Sequence, residues 1–235
     1  MNILAVDTAG RSASVALMRD DTLIYETVCN CGLTHSETLM PMIDAALKTT
    51  GLRLDSIDLY AVTAGPGSFT GLRIGLSAVK GMALPRQTPC AGVSTLEALA
   101  RCHTGQGVVI CALDARRGQV YWAAFDLETH ERLTPDAAAP VEEAADFALR
   151  CKKSVFFVGD GAALCYNVYK QALPCPPALR VGRAAGAALA AREMWKNGLC
   201  VSPACLMPDY LRLSQAERER AEREAQNVEK GASSL

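Results

Sequence analysis

Histidine is scarce: the chain has three in 235 residues, His35, His103 and His130, each far from the others. No H-E-x-x-H or H-x-x-x-H pair can be formed from them, which excludes a zincin-type metallopeptidase. G-x-S-x-G is also missing, and with it the strand-to-helix serine elbow of the α/β-hydrolases. So is the G-x-x-x-x-G-K-[ST] phosphate loop. Nor is there an excess of positive charge. Lys and Arg number 24 against 25 Asp and Glu, a net charge of −1. The short pairs Arg116-Arg117 and Lys152-Lys153 are too small to neutralise a nucleic-acid backbone, so the chain is not expected to hold nucleic acid unaided.

Long apolar runs are absent too. No window approaches the roughly 18 uncharged apolar residues of a membrane helix, and Met1-Asn2-Ile3 enters an apolar stretch without a basic leader. The expectation is a cytoplasmic protein that does not touch membrane. Cysteine, by contrast, is plentiful, with ten residues. They are scattered, none forms C-x-x-C, and Cys90, Cys102, Cys111 and Cys165 sit in apolar runs. They read as reduced cysteines used as small hydrophobes. Cys29 and Cys31 bracket Asn30 and lack the spacing of a tetrahedral metal site, so no metal is expected.

Half of the residues are hydrophobic, enough for two small cores. Three strands open the chain: Asn2 to Val6 ending at Asp7, then Ser12 to Met18, then Thr22 to Val28. Thr34 with Glu37 forms a capping-box pattern ahead of Leu39, Ile43, Ala46 and Leu47. Pro41 implies that this helix either starts near Thr38 or is kinked. A strand over Leu59 to Thr63 runs into the turn cluster Gly65-Pro66-Gly67-Ser68, and a helix spans about 70–83. A short strand from Cys90 to Val93 and a helix from Ser94 to His103 follow. Gly105-Gln106-Gly107 reads as a joint.

Beyond the joint the opening pattern returns: Val108 to Leu113 ends at Asp114, turns at Arg116-Arg117-Gly118, and runs back from Val120 to Phe125. A helix near 141–151, a strand over Val155 to Val158, a helix through Tyr166 to Ala172 and a last helix from Arg183 to Asn197 complete it. Strand–Asp–turn–strand at the head of both halves implies an α/β protein built from a duplicated β-β-β-α-β-α unit. The expected domains are 1–104 and 105–213, with 214–235 a charged tail or helix.

Two readings of Asp7 and Asp114 are open. Each either orients water or metal near phosphates in a cleft, or caps its own turn by accepting backbone amides. The loop from Gly65 to Gly71 likewise either holds an anion at a helix start or lets another element approach closely. His35, beside Ser36 and Glu37, reads as a capping and surface residue.

Seven stretches carry a family resemblance: AVDT (5–8), HSETLMPMI (35–43), AGPGSFTGLRIGLSAVKGMA (64–83), GVSTLEALA (92–100), DARRGQVYWAAFD (114–126), GDGA (159–162) and PDYLR (208–212). Together they resemble the bacterial TsaB family, also called YeaZ, of the TsaD/Gcp-like superfamily, over nearly the whole chain. The resemblance implies an actin-like ATPase (ASKHA, RNase H-like) fold with a nucleotide cleft at Asp7, Thr8, Asp114, Gly159 and Gly161. It implies weak ATP or ADP binding at most and no required cofactor.

It also implies a subunit that does not catalyse alone and assembles with TsaD and TsaE to place threonylcarbamoyl on tRNA adenosine. TsaD performs the transfer and carries two metal-binding histidines, in the spacing H-x-x-x-H. Thr95 and Leu99 stand at the matching positions here, and neither replaces an imidazole. The implied partner surface is the helix pair 35–49 and 70–83, with His35, Leu39, Ile43, Gly71, Leu72, Gly75, Leu76 and Val79. It would join the same helices of TsaD in a four-helix bundle, or a second copy when TsaD is absent. On that reading Gly75→Arg, or a charge at Leu72 or Leu76, breaks the heterodimer without unfolding the chain. The alternatives are a nucleotide-hydrolysing or sugar-kinase enzyme of the same fold, a free-standing interaction protein, and, least supported, a peptidase.

Overall fold

The computed structural model of the protein describes residues 1–212. The tail expected over 214–235 lies outside the described residues.

Strand β1 (Asn2–Asp7) is the middle of the first sheet and is buried along nearly all its length. Leu4 and Val6 point into one core, Ile3 and Ala5 into another, as the two-residue period of a strand requires. β2 (Ala13–Arg19) returns antiparallel and pairs Asp7 with Ser14. β3 (Thr22–Cys29) forms the edge. β4 (Leu59–Gly65) joins β1 in parallel on the other side, and β5 (Cys90–Ser94) joins β4, for the order β3-β2-β1-β4-β5.

Helices α1 (His35–Thr50) and α2 (Phe69–Ala83) cover the Leu4–Val6 face. The Glu37 carboxylate accepts the Thr34 amide at 3.1 Å, one limb of a capping box. The helix therefore starts at His35 rather than near Thr38, and Pro41 sits inside it on the exposed side. On α2, Leu72, Leu76 and Val79 are buried against the sheet, which contributes about 1.5–3 kcal/mol for each large side chain.

α3 (Thr95–Arg101) leads to the second sheet, which is formed by β6 (Val108–Arg116), β7 (Gln119–Asp126), β8 (Ala137–Pro140) and β9 (Val155–Val158) in the order β8-β7-β6-β9. α4 (Val141–Arg150) and α5 (Ala162–Val168) cover one face of it around Trp122 and Phe157. The second half thus repeats the β-β-β-α-β-α order. α5 begins at Ala162, earlier than the expected 166–172, because the Gly159–Gly161 turn feeds it directly, and the backbone becomes extended at Tyr169.

The expected domain 105–213 needs correction. α6 (Ala184–Lys196) leaves the second sheet and packs across β1, β2, β4 and β5 of the first. Ala184, Ala187, Ala188 and Ala191 fill the Ile3–Ala5 core. The approach is close: a Cβ at Gly186 would lie 1.9 Å from the Ala98 carbonyl oxygen of α3. Val201 then bridges to Cys90, and Leu206 enters the first core. The first unit is therefore 1–104 together with 184–212. α3 joins the two units, with Ala98 in the alanine-rich core and Leu96, Leu99 and Ala100 against β6 and β7.

Candidate functional site in the interdomain cleft

β1 ends at Asp7, and Asp114 lies near the end of β6, two residues before its last; Asp7 lines a cavity of about 220 Å³ and Asp114 an adjoining one of about 410 Å³. Gly10, Arg11, Leu113 and Asp160 belong to both. Asp7 Oδ1 accepts the Thr63 hydroxyl at 2.8 Å and the Ala9 amide at 3.0 Å. Asp114 Oδ1 accepts the Arg116 amide at 2.8 Å. Both carboxylates thus cap the turn two residues on, the second of the two readings left open by sequence. Burial pushes the Asp7 carboxyl above the usual carboxylate range, and these hydrogen bonds only partly oppose it.

A third carboxylate, Asp160, closes the arrangement. Its Oδ1 accepts the Asp114 amide at 2.9 Å, and its Oδ2 would lie 3.5 Å from a Cβ at Gly10. Burial raises its pKa, while the Asp114 amide and the Arg11 guanidinium oppose the rise. Arg11 also lies 3.8 Å from Asp114 Oδ2. In a fold of this kind the two strand-end turns are where phosphates would meet backbone amides. Here the chain's own carboxylates engage amides at these turns, which does not fit tight polyphosphate binding.

The glycine-rich loop is similarly committed. The Ser68 amide donates to the Ala9 carbonyl at 2.7 Å, and the Gly71 amide to the Ser68 hydroxyl at 3.3 Å. A Cβ at Gly67 would sit 2.6 Å from the Ala9 oxygen, so the loop's glycines serve close approach.

Of the other expected cleft residues, Gly159 lines the smaller cavity, but Thr8 and Gly161 do not line either one. Thr8 is fully buried and turns toward α2, where its hydroxyl donates to the Gly71 carbonyl at 2.8 Å. Gly161 lies beneath the cleft, its amide on the Ala112 carbonyl at 3.0 Å.

The expected partner residues also need correction. Leu39, Ile43, Gly71, Leu72, Gly75, Leu76 and Val79 all face the chain's own core. A Cβ at Gly71 would lie 2.1 Å from the Thr8 carbonyl oxygen, and one at Gly75 2.4 Å from Thr8 Oγ1. These glycines bring α2 onto the end of β1, where a side chain would have no room. His35, half-buried, contacts the Gly10 carbonyl at 2.9 Å through Nε2 and ties α1 to the cleft turn. What α1 and α2 leave partly exposed is a different stripe: Met42 on α1, with Ile74, Ala78 and Met82 on α2 at four-residue spacing.

Thr95 and Leu99 both line the smaller cavity near Asp7. The Thr95 hydroxyl is buried with no hydrogen-bond partner among the described residues. Among the described residues, no three His, Cys, Asp or Glu side chains gather as a cation site. No described helix is long and apolar enough to cross a membrane.

Residues 209–212 line the larger cavity. The Asp209 amide donates to the Ala64 carbonyl at 2.7 Å, the Tyr210 ring stacks on Phe69 at 4.7 Å, and Arg212 donates to the Ala115 carbonyl at 2.8 Å. Arg73, on α2, stacks on Phe69 and donates to the Tyr210 hydroxyl at 3.1 Å. Sequence reasoning missed this strap, and Asp160 with it. Both lie within stretches that carry the resemblance, GDGA and PDYLR, and that was the only signal available.

A family model described as "TsaD: tRNA N6-adenosine threonylcarbamoyltransferase" matches residues 31–219. The Bacillus subtilis "tRNA threonylcarbamoyladenosine biosynthesis protein TsaB" is 30% identical over 223 residues, 92% of this chain and 96% of that protein. The Escherichia coli protein of the same name is 42% identical over 128 residues, 53% of this chain and 55% of that protein, so this match spans about half of each. The crystal structure of YeaZ from Pseudomonas aeruginosa superposes with a TM-score of 0.72 at 28% identity, covering 89% of this chain and 99% of that one. The Clostridium difficile activator of 2-hydroxyisocaproyl-CoA dehydratase, solved with ADPNP, gives 0.52 at 12% identity over 84% and 97% of the two chains. That likeness concerns the fold alone, which is the actin-like ATPase type.

Proposed function

This chain belongs to the TsaB (YeaZ) family within the TsaD-like superfamily, and from that premise we propose that it is a non-catalytic scaffold subunit of the machinery that makes tRNA threonylcarbamoyladenosine. It binds and activates TsaD, with TsaE joining the assembly, and meets tRNA only through that complex, in the cytoplasm. The observation that carries the non-catalytic reading is the pair Thr95 and Leu99. They line the cleft near Asp7, where the resemblance places the transferase's two metal-binding histidines, and a hydroxyl and an isobutyl group do not form such a site. The committed turn amides support the same reading.

The docking surface in this account is the partly exposed stripe Met42, Ile74, Ala78 and Met82, which packs against the first core from its outer side. Apolar side chains left half-covered on two adjacent helices suit a partner presenting a similar helix pair. Without TsaD the same stripe pairs with its copy in an isologous dimer. Weak ATP or ADP association is what the guanidiniums of Arg11, Arg116 and Arg212 around the larger cavity support, and Asp160 opposes it. No turnover follows from it.

Reconstitution tests the proposal. TsaD and TsaE, supplied with threonylcarbamoyl-adenylate as donor, ATP and substrate tRNA, should form the modified nucleoside only when this chain is added, and the chain alone with the same donor should form none. Modification by the isolated chain, or full activity in its absence, would overturn the reading.

A further inference from the structure

Among the ten cysteines, the pair at the exit of β3 differs from the rest. Cys90, Cys111, Cys165 and Cys175 are buried in the cores. Burial pushes the Cys90 thiol to about 11 and the Cys102 and Cys165 thiols to about 12, so they are poor nucleophiles at neutral pH. Cys151 and Cys200 are raised by the same cause. Cys31 is exposed, Cys29 is partly exposed, and their Sγ atoms stand 3.2 Å apart. That separation is roughly 1 Å beyond an S–S bond, within reach of small side-chain rotations.

The two thiols are not equivalent. The Cys29 thiol and the Leu33 amide stabilise the Cys31 thiolate and lower its pKa, while the same contact raises that of Cys29. One sulfur is therefore disposed to attack and the other to resolve.

We propose that Cys29 and Cys31 form a redox-active dithiol, a modification site that a low-molecular-weight disulfide oxidises to an intramolecular disulfide. The Cys31 thiolate attacks one sulfur of the reagent, forming a mixed disulfide and releasing one thiolate, which takes up a proton. Cys29 then loses its proton to solvent and attacks the Cys31 sulfur. The Cys29–Cys31 bond forms, and the second reagent thiolate leaves and is protonated. Net, two cysteine thiols are oxidised and one reagent disulfide is reduced to two thiols.

The position gives the bond a consequence. Cys29 is the last residue of β3, paired with Ala13. Asn30 lines the smaller cleft cavity, and α1 begins at His35. Ring closure would pin the Asn30 backbone between the cleft and the start of the first docking helix. The proposal does not depend on the scaffold reading, because its test reads thiol chemistry alone.

The test equilibrates the full chain with oxidised and reduced glutathione at graded ratios, quenches with an alkylating agent, and maps peptides by mass spectrometry. Trypsin releases 20–48 with both cysteines and no others. The expected result is a peptide lighter by two hydrogens and carrying no alkyl group, appearing at oxidising ratios and reverting on reduction. Cys29→Ser should stop at the glutathione adduct on Cys31. A wild-type peptide that stays doubly alkylated at every ratio, stops at the adduct, or cross-links to a second chain overturns the proposal. Because both residues lie near the surface, circular dichroism of Cys29→Ser should match wild type.

Discussion

Replacing Gly75 by alanine separates the two roles that α2's glycines could have. Alanine is favoured over glycine in a helix by about 1 kcal/mol, so an exposed or interface glycine would give a chain of equal or higher stability. Here the added Cβ would lie 2.4 Å from Thr8 Oγ1 and 3.3 Å from Val62 Cγ2. Thr8 is fully buried at the end of β1 and has little room to yield. Its hydroxyl would have to leave the Gly71 carbonyl, 2.8 Å away. Stranding that buried pair costs about 1–3 kcal/mol, and overpacking a filled core about 1–3 kcal/mol more. Net of the helix gain, Gly75→Ala should lose roughly 1–5 kcal/mol. Urea unfolding followed by circular dichroism measures this as a lower midpoint with an unchanged slope. A midpoint at or above wild type would refute the packing argument and return Gly75 to the surface.

Leu72→Glu or Leu76→Glu should leave the chain largely unfolded or insoluble, because each buries a carboxylate in the first core; a wild-type melting curve would contradict this. Asp160→Asn removes the negative charge engaged at the cleft turns and should tighten ADP binding by about tenfold, or 1.4 kcal/mol, in calorimetry; unchanged affinity would count against the carboxylate as the obstacle. Asp7 has a folded-state pKa above its unfolded value, so between those two values the folded state binds more protons and stability falls as pH rises. Asp7→Asn keeps an acceptor for Thr63 and Ala9 and should flatten that part of a melting-temperature profile; a parallel profile would argue against burial as the cause.

Much of the fold was legible in the residues. Apolar runs ending at Asp7 and Asp114 gave the central strands, Thr34 with Glu37 pointed to α1 while Pro41 left its start open, and the repeat gave two sheets of matching order. β8 was not legible, since its Ala-Ala-Ala-Pro sequence has little strand character and is held at the sheet edge by β7. The destination of α6 was also hidden: its alanines state that it packs closely but not against which sheet. The faces of α2 could not be sorted for a related reason. Ile74, Ala78 and Met82 are as apolar as Leu72, Leu76 and Val79, so only the Thr8 backbone pressed against Gly71 identifies the inner side. Within the cleft, each Asp and its turn could be read locally. The Asp160–Asp114 contact joins residues far apart in sequence, and only the folded chain reveals it.

The central claim is that α1 and α2 dock a partner through their outward stripe and not through the residues beneath it. Ala78 is small, half-exposed and in that stripe, so Ala78→Arg blocks the surface while leaving the core filled. Size-exclusion chromatography with equimolar TsaD should show wild-type chain in the complex and Ala78→Arg eluting apart from TsaD, with its melting temperature kept. An Ala78→Arg chain that co-elutes with TsaD as fully as wild type would contradict the account.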